Sequence, residues 1–268
     1  MKHKHKPGHL KFGFGNAKLS ALIATFSLPA GYSCPFAHEC LSKASVKNGI
    51  IKDGPHTRFR CFAASQESTY PNVRNMRWFN YDLLRKAKTM PAMGQLIHDS
   101  LPAKIGFVRV HVSGDFWSES YFLAWLNVAW NNPLITFYGY TKATPYLVSY
   151  KNKIPPNFRF TASKGGTRDN LIAKHDLKYA EVVFSVNEAK EKNLEIDHDD
   201  SHAIGSPDSF ALLLHGTQPP GTPASKAWTT LIRNGIGGYG TATSSRNMNH
   251  YTSPFRVRVN VFPSKVKA

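Results

Sequence analysis

Three cysteines are the residues of this sequence best suited to chemistry. Cys34 and Cys40 are separated by five residues in GYSCPFAHEC, and Cys61 follows after twenty more residues in FRCFAAS. Thiolates are the ligands of iron–sulfur clusters, and a loop that contains Gly31 and Pro35 has the irregular backbone needed to turn two sulfurs towards one point. Three thiolates on a four-iron cluster leave one iron open. The sequence therefore predicts a 4Fe–4S cluster on Cys34, Cys40 and Cys61.

Two other interpretations of these cysteines stay open. Zinc is the alternative metal, because His38 lies between the first two cysteines and would complete a Cys3His set. The three residues would otherwise be buried free cysteines. Their odd number and their position in the first quarter of the chain argue against a secreted disulfide framework and favour a reducing cytoplasm.

A second constellation consists of polar residues that follow predicted strands. Asp115, Lys142, Lys164, Glu188 and His215 each lie at or just after a strand end. Because the carboxyl ends of parallel strands share one side of a sheet, these residues are expected to line one mouth. The lysines would meet an anionic substrate, and Asp115 or Glu188 would transfer protons.

Glycine-bearing segments after three of the predicted strands are candidates for cofactor binding. Ser113 and Gly114 precede Asp115, and Gly165 and Gly166 lie in SKGGTRDN, where backbone amides could hold a phosphate or carboxylate. A second such turn, HGTQPPGTPAS, begins at residue 215. Neither turn matches a phosphate-loop or dinucleotide fingerprint, so ordinary β-to-α turns are the alternative.

The elements that must position these residues alternate between strands and helices. This alternation predicts a single α/β domain over residues 16–268 with a mostly parallel sheet, TIM-barrel-like or a partial (β/α) barrel, after a basic flexible arm at 1–15. An open doubly wound sheet is the alternative. The predicted strands are 22–27, 58–63, 107–112, 135–140, 158–162, 182–186 and 210–214. The predicted helices are 80–100, 118–130, 145–151, 187–193 and 224–234.

The charge of the chain favours a polyanionic partner. Lysine and arginine number 34 against 17 acidic residues, which gives a net charge of +17. We therefore expect a nucleic acid or nucleotide partner, with base stacking on the aromatics of TYPNVRNMRWFN as one mode and helix packing as the other. No stretch reaches the roughly 20 apolar residues that span a bilayer, so no membrane role is predicted.

One acidic segment reverses this charge. EIDHDDSH contains Asp197, His198, Asp199, Asp200 and His202, a set that resembles hard-metal or mixed carboxylate–imidazole ligands. It does not fit the twelve-residue calcium loop. The other interpretation is an acidic helix end or a capping loop.

Several motifs together resemble the phage "gene product 88" family. They run in order from about residue 16 to about residue 240: NAKLSALIATFSLPAGYSCPFAHECLSKA, FRCFAASQE, RVHVSGDFWSESYFLAWLNVA, FYGYTK, ASKGG, LEIDHDDSHA and SFALLLHG. That resemblance implies a phage or prophage origin and no assigned activity. A looser likeness to radical S-adenosylmethionine enzymes implies a three-cysteine 4Fe–4S cluster whose open iron chelates S-adenosylmethionine, although the cysteine spacing here differs from the usual C-x3-C-x2-C.

The leading functional hypothesis is a phage-encoded iron–sulfur protein, of redox or radical type, that acts on a nucleotide or nucleic acid. The second hypothesis is a non-catalytic nucleic-acid-binding protein with a structural zinc or iron–sulfur site. A third is an assembly or host-interaction protein whose cysteines are merely buried.

Overall fold

A computed structural model of the protein describes residues 8–14 and 23–236. Within them, eight strands form one sheet and two form a separate hairpin. The sheet strands are β1 (Gly13–Phe14), β2 (Ile23–Ser27), β5 (Phe107–Ser113), β6 (Thr136–Thr141), β7 (Phe158–Ser163), β8 (Tyr179–Val183), β9 (Glu195–Ile196) and β10 (Phe210–Leu213). The hairpin consists of β3 (Ser42–Ala44) and β4 (Ile51–Asp53).

The sheet is mostly parallel, as predicted. Its strand order is β1-β2-β5-β6-β7-β8-β10-β9, and of these eight described strands only the β1–β2 pair is antiparallel. Helices connect successive parallel strands, which places the carboxyl ends of β2, β5, β6, β7, β8 and β10 on one side. The strand predictions at 107–112, 135–140, 158–162 and 210–214 are confirmed to within one residue, and the one at 182–186 lies three residues too late.

Helices pack on both faces of the sheet, and five of those in the described residues contribute buried side chains to the main core on one face. The described helices are α1 (Phe62–Thr69), α2 (Pro71–Ala87), α3 (Met90–Ser100), α4 (Glu119–Trp130), α5 (Thr144–Ser149), α6 (Asn170–Lys174), α7 (Val186–Glu191), α8 (Ser201–Gly205) and α9 (Pro223–Arg233). The core contains Phe26 of β2, Val110 of β5 and Trp125 of α4, all fully buried. The run FLAWLNVAW is therefore mostly core, except for Asn127 and Trp130, which are exposed.

The sheet of the described residues is open, so the TIM-barrel-like form of the predicted fold is not confirmed for this part of the chain. The edge strands β1 and β9 have two residues each and do not pair with one another. The short helix α8 packs against β6 and β7 and covers the face around Tyr138 and Phe210. Strands of two residues offer too few backbone N–H and C=O groups to pair with one another and close a barrel. The side chains of α8, and no further strand of the described residues, cover the face around Tyr138 and Phe210.

The predicted strand 58–63 is wrong. Residues 58–61 form an irregular approach to α1, with Cys61 at the N-cap position. The Gln218 side chain accepts a hydrogen bond from the Arg60 amide (2.8 Å) and donates to its carbonyl (3.1 Å), while Asp53 binds the Arg60 guanidinium. A side-chain amide therefore supplies the backbone partner that a neighbouring strand would otherwise provide.

The predicted helix 80–100 consists of two helices. The first, α2, ends at Ala87, and Lys88 adopts a left-handed φ of 59°. Thr89 then caps α3 by accepting from the Ala92 amide at 3.4 Å, with Pro91 in the first turn. A proline interrupts a helix interior but suits a first turn, so it begins a new helix here.

Of the predicted flexible arm at 1–15, the structure describes residues 8–14, in which Leu10 and Phe12 are buried in the main core. Residues 1–7 and the edge strand predicted in FRVRVNVF lie outside the described residues, as does the predicted loop beyond residue 236. Across the residues that the structure describes, no helix is long and apolar enough to span a membrane.

Candidate functional site

The three cysteines lie in two segments that backbone hydrogen bonds hold together at the carboxyl end of the sheet. Cys34 and Cys40 lie in the loop between β2 and β3, and Cys61 immediately precedes α1. Burial raises the pKa of Cys34, and Asp115, Cys61 and Cys40 raise that pKa further. Burial raises the pKa of Cys61 to about 12, with Cys40 adding to the effect. The thiolate forms of Cys34 and Cys61 are therefore disfavoured until a cation neutralises them.

The cysteine loop is held between two other segments by backbone hydrogen bonds. The amides of His38 and Glu39 donate to the Gly165 carbonyl at 3.2 and 3.0 Å, and Ala37 bridges to Gly166. On the other side, the Arg58 amide donates to the Glu39 carbonyl at 2.7 Å. These bonds bring the loop of Cys34 and Cys40 next to the segment that ends in Cys61.

Glycines at two strand ends allow this close approach. A Cβ atom on Gly114 would lie 2.5 Å from the Ser33 hydroxyl and 2.6 Å from the Leu28 Cβ, and its φ is +87°. A Cβ on Gly165, with φ +89°, would contact Glu39 at 3.1 Å. Both were predicted to bind a cofactor, and here they accommodate the cysteine loop. Ser113, from the same prediction, donates to the Leu28 carbonyl at 2.8 Å.

The amides of the SKGG turn already bind an anion from the chain itself. Asp169 accepts from the amides of Gly165 and Gly166 at 2.7 and 2.9 Å. This carboxylate takes the place of the phosphate or carboxylate ligand predicted for the turn. The amides of the turn that could bind an external anion are therefore already bound to Asp169. The turn contacts the cysteine loop through the Gly165 carbonyl.

Among the predicted catalytic residues, Asp115 is the one whose charge raises the pKa of Cys34. It is 5% exposed and accepts from the Thr141 hydroxyl (2.5 Å), the Phe116 amide (2.8 Å) and the Lys142 amide (2.8 Å). Burial raises its pKa, and these hydrogen bonds oppose that shift. Its charge in turn raises the pKa of Cys34. Asp115 is thus a buried carboxyl beside the thiol group.

The two lysines of the predicted mouth have protein partners. Lys142 donates through Nζ to the Ser163 carbonyl (3.1 Å), the Ser163 hydroxyl (2.9 Å) and the Lys164 carbonyl. Lys164 pairs with Glu181 at 3.0 Å and lies over the Tyr179 ring at 4.1 Å. Lys142 therefore ties the end of β6 to the end of β7, and Lys164 is partly neutralised.

Glu188 and His215 complete the predicted set at the far strands. Glu188 accepts from the Phe184 amide at 2.7 Å and pairs with Arg58 at 3.3 Å, so it caps the start of α7. The His215 ring packs on the ring of Phe62, the residue after Cys61, with centroids 4.5 Å apart. His215 thus packs on the residue that follows Cys61, whereas the Glu188 carboxylate caps α7 and pairs with Arg58 in the segment that leads to Cys61.

A buried ion pair behind the cysteines was not predicted from the sequence. Glu67 is fully buried and accepts from the Arg77 guanidinium (2.9 Å), the Ala30 amide (2.9 Å) and the Ser113 hydroxyl (3.3 Å). Within the described part of the chain its second oxygen is buried without a hydrogen-bond partner, and its charge interacts with Cys61. One feature of the sequence could have indicated this ion pair: Glu67 is the one charged residue in FAASQEST, the segment directly after Cys61.

His38, the predicted fourth zinc ligand, stacks on another histidine. Its ring lies parallel to that of His56, with centroids 4.6 Å apart. Across residues 8–14 and 23–236, no group of three or more His, Cys, Asp or Glu side chains is arranged to hold a metal ion.

The acidic segment 195–202 lies against the opposite face of the sheet. Asp200 is buried, pairs with Arg109 at 2.7 Å and accepts from the Tyr138 and Tyr140 hydroxyls at 3.0 and 3.2 Å. Asp197 accepts from the Asp200 amide at 3.0 Å. This agrees with the capping-loop interpretation and fixes α8 on the sheet.

His202 makes the stability of this segment depend on pH. Burial lowers its pKa, but hydrogen bonds to Glu195 (2.9 Å) and Asp197 (3.0 Å) outweigh that effect and raise it above the ordinary value of about 6.5. The stabilisation is therefore complete below about pH 6.5 and is lost as pH rises through the folded-state pKa.

We expect the stability of the wild type, measured by urea titration, to fall over that window by less than about 1 kcal/mol, because Glu195 is largely exposed. The Glu195→Gln variant should show a smaller fall. Identical profiles for the wild type and His202→Asn would contradict this prediction.

Comparison with known proteins confirms the suspected family. The family model for gene product 88 matches residues 3–234. The chain belongs to the gene product 88 family. The gene 88 protein of Mycobacterium phage L5 is 26% identical to this family member over 162 residues, which cover 56% of the chain and 58% of that protein. The chain thus spans about 58% of that relative's length. No solved structure matches it, and the likeness to radical S-adenosylmethionine enzymes stays a prediction.

Proposed function

We propose that this gene product 88 chain is an iron–sulfur protein whose cluster is held by Cys34, Cys40 and Cys61. One observation carries the proposal: backbone hydrogen bonds hold the loop of Cys34 and Cys40 against the segment that ends in Cys61, at the carboxyl end of a parallel sheet. Burial disfavours the thiolate forms of Cys34 and Cys61, and a cationic cluster would offset that cost. The close backbone approach at Gly114 and Gly165 serves the same arrangement.

The donor set fits a cluster better than a single zinc ion. Zinc–sulfur bonds are about 2.3 Å long, so thiolates on one ion lie within about 4 Å of one another. The described side chains do not meet the requirement for a single ion, and His38 stacks on His56 instead of joining the cysteines. A cluster binds each thiolate through a different iron, so its ligands stand further apart.

A four-iron cluster on three thiolates would supply an open iron for a cofactor such as S-adenosylmethionine or for a substrate, and hence redox or radical chemistry. We propose a nucleotide or nucleic acid as the substrate class and the mouth of a partial barrel as the location. Asp115 is the candidate for proton transfer, because it is buried beside Cys34 with a raised pKa. A reducing host cytoplasm would suit such a site.

Anaerobic purification and reconstitution, followed by iron, sulfide and zinc analysis and visible absorption spectroscopy, test this proposal. We expect about four iron and four sulfide per chain and a brown protein. A colourless protein without iron and sulfide would refute the cluster, and stoichiometric zinc would replace it.

A non-catalytic nucleic-acid-binding protein is the second candidate. The observation that favours it is that Lys142, Lys164 and Glu188 all have structural partners within the chain. The cluster or zinc would then hold the N-terminal segments together, and the net charge of +17 would provide affinity. A redox-silent metal centre in a protein that binds DNA of any sequence would support this candidate over the first.

A further inference from the structure

Two basic clefts meet at a single exposed tyrosine beside the cysteine loop. Tyr32, two residues before Cys34, has 38% of its surface exposed and lines both. The first cleft has a volume of about 370 Å³ and includes Arg85 and Lys88 at the end of α2. The second has a volume of about 390 Å³ and includes Lys43 and Lys52 of the β3–β4 hairpin.

The charged side chains that line the two clefts are all positive. Arg85, Lys88 and Lys52 are exposed, and Lys43 is half-buried. Among the residues that the structure places, no acidic side chain lines either cleft. Two cations thus stand on each side of Tyr32, which is the arrangement that attracts a chain of phosphates rather than a single anion.

The aromatic rings of this surface are fixed by one another. Tyr32 meets Trp78 edge to face with centroids 4.8 Å apart, and the Lys43 ammonium lies 5.3 Å from the Tyr32 ring. Trp117, which also lines the first cleft, stacks on Tyr121 at 3.7 Å. Rings held in place lose little conformational entropy when a base stacks on them.

We propose that a single-stranded nucleic acid crosses this surface, with a base stacked at Tyr32 and phosphates bound by Arg85 and Lys88 on one side and by Lys43 and Lys52 on the other. A single strand is favoured over a duplex because stacking on a side chain requires an unpaired base. The path would carry the strand past Cys34. This inference rests on the proposed function and specifies the partner given there as a nucleotide or nucleic acid.

Fluorescence anisotropy with a labelled single-stranded oligonucleotide tests the inference on the full-length chain, with iron content measured separately for each preparation. We expect Tyr32→Ala to weaken binding roughly tenfold, and Tyr32→Phe to retain it. The double variant Arg85→Gln/Lys88→Gln should reduce the slope of log affinity against log salt by about 0.7 for each phosphate that it no longer neutralises. Trp130→Ala, which removes an exposed aromatic at the end of α4, away from both clefts, is the matched control for Tyr32→Ala.

Lys174→Gln/Lys190→Gln removes the same charge from exposed positions on α6 and α7 and should change binding much less. Equal losses in the two double variants, or unchanged affinity in Tyr32→Ala, would overturn the inference, and so would equal binding of duplex or of a mononucleotide. A protein that binds in this way but takes up no iron would retain the inference and refute the cluster.

Discussion

Replacing Cys61 with alanine is expected to reduce iron and sulfide in the reconstituted protein to near the background level. The chain contains three cysteines, so no other thiolate can substitute for the missing ligand. The change should leave the fold intact, because Cys61 occupies the N-cap of α1 without a side-chain capping bond. Metal analysis and visible absorption measure the first effect, and circular dichroism with a urea titration measures the second.

His38→Ala is the control that separates the two metals. A Cys3His zinc site would lose its ion in that variant, whereas a three-thiolate cluster should keep its iron. Unchanged iron and sulfide in Cys61→Ala would remove Cys61 from the site. Loss of metal in His38→Ala to the same degree as in Cys61→Ala would replace the cluster with zinc.

Replacing Arg77 with methionine is expected to lower the free energy of unfolding by about 3–5 kcal/mol. The Arg77–Glu67 pair is almost completely buried, so the variant leaves a carboxylate without its compensating charge. Burial already raises the pKa of Glu67, and Arg77 lowers it, so the variant should raise that pKa further. The loss should therefore lessen as pH falls and Glu67 becomes protonated. Urea midpoints at several pH values measure this dependence.

A double-mutant cycle separates the pair from the packing around it. Glu67→Leu/Arg77→Met removes both charges and should recover most of the loss, because replacing a whole buried pair costs less than breaking it. Lys86→Met removes an exposed charge from the same helix and should change stability by no more than about 0.5 kcal/mol. If the free energy of unfolding of Arg77→Met is no lower than that of Lys86→Met, the Arg77–Glu67 pair does not stabilise the fold.

Periodicity was sufficient to predict the main strands and the alternation that makes the sheet parallel. Buried runs such as FALLL in β10 can be recognised because both faces of a central parallel strand are covered. The segment 58–63, which the local sequence also predicts as a strand, forms none. Its partner is the Gln218 side chain, 158 positions away, and local pattern contains no information about such a partner.

The candidate site divides in the same way. The sequence alone determined the set of three thiols, the positive charge and the family, because these depend on residue types and their order. Only the tertiary structure decided which polar groups are already used: Asp169 occupies the turn amides, Glu188 caps a helix, and Glu67 lies behind the cysteines. A hydrogen bond or ion pair depends on distances of a few ångströms between residues far apart in the chain, and the packing of the whole sheet fixes those distances.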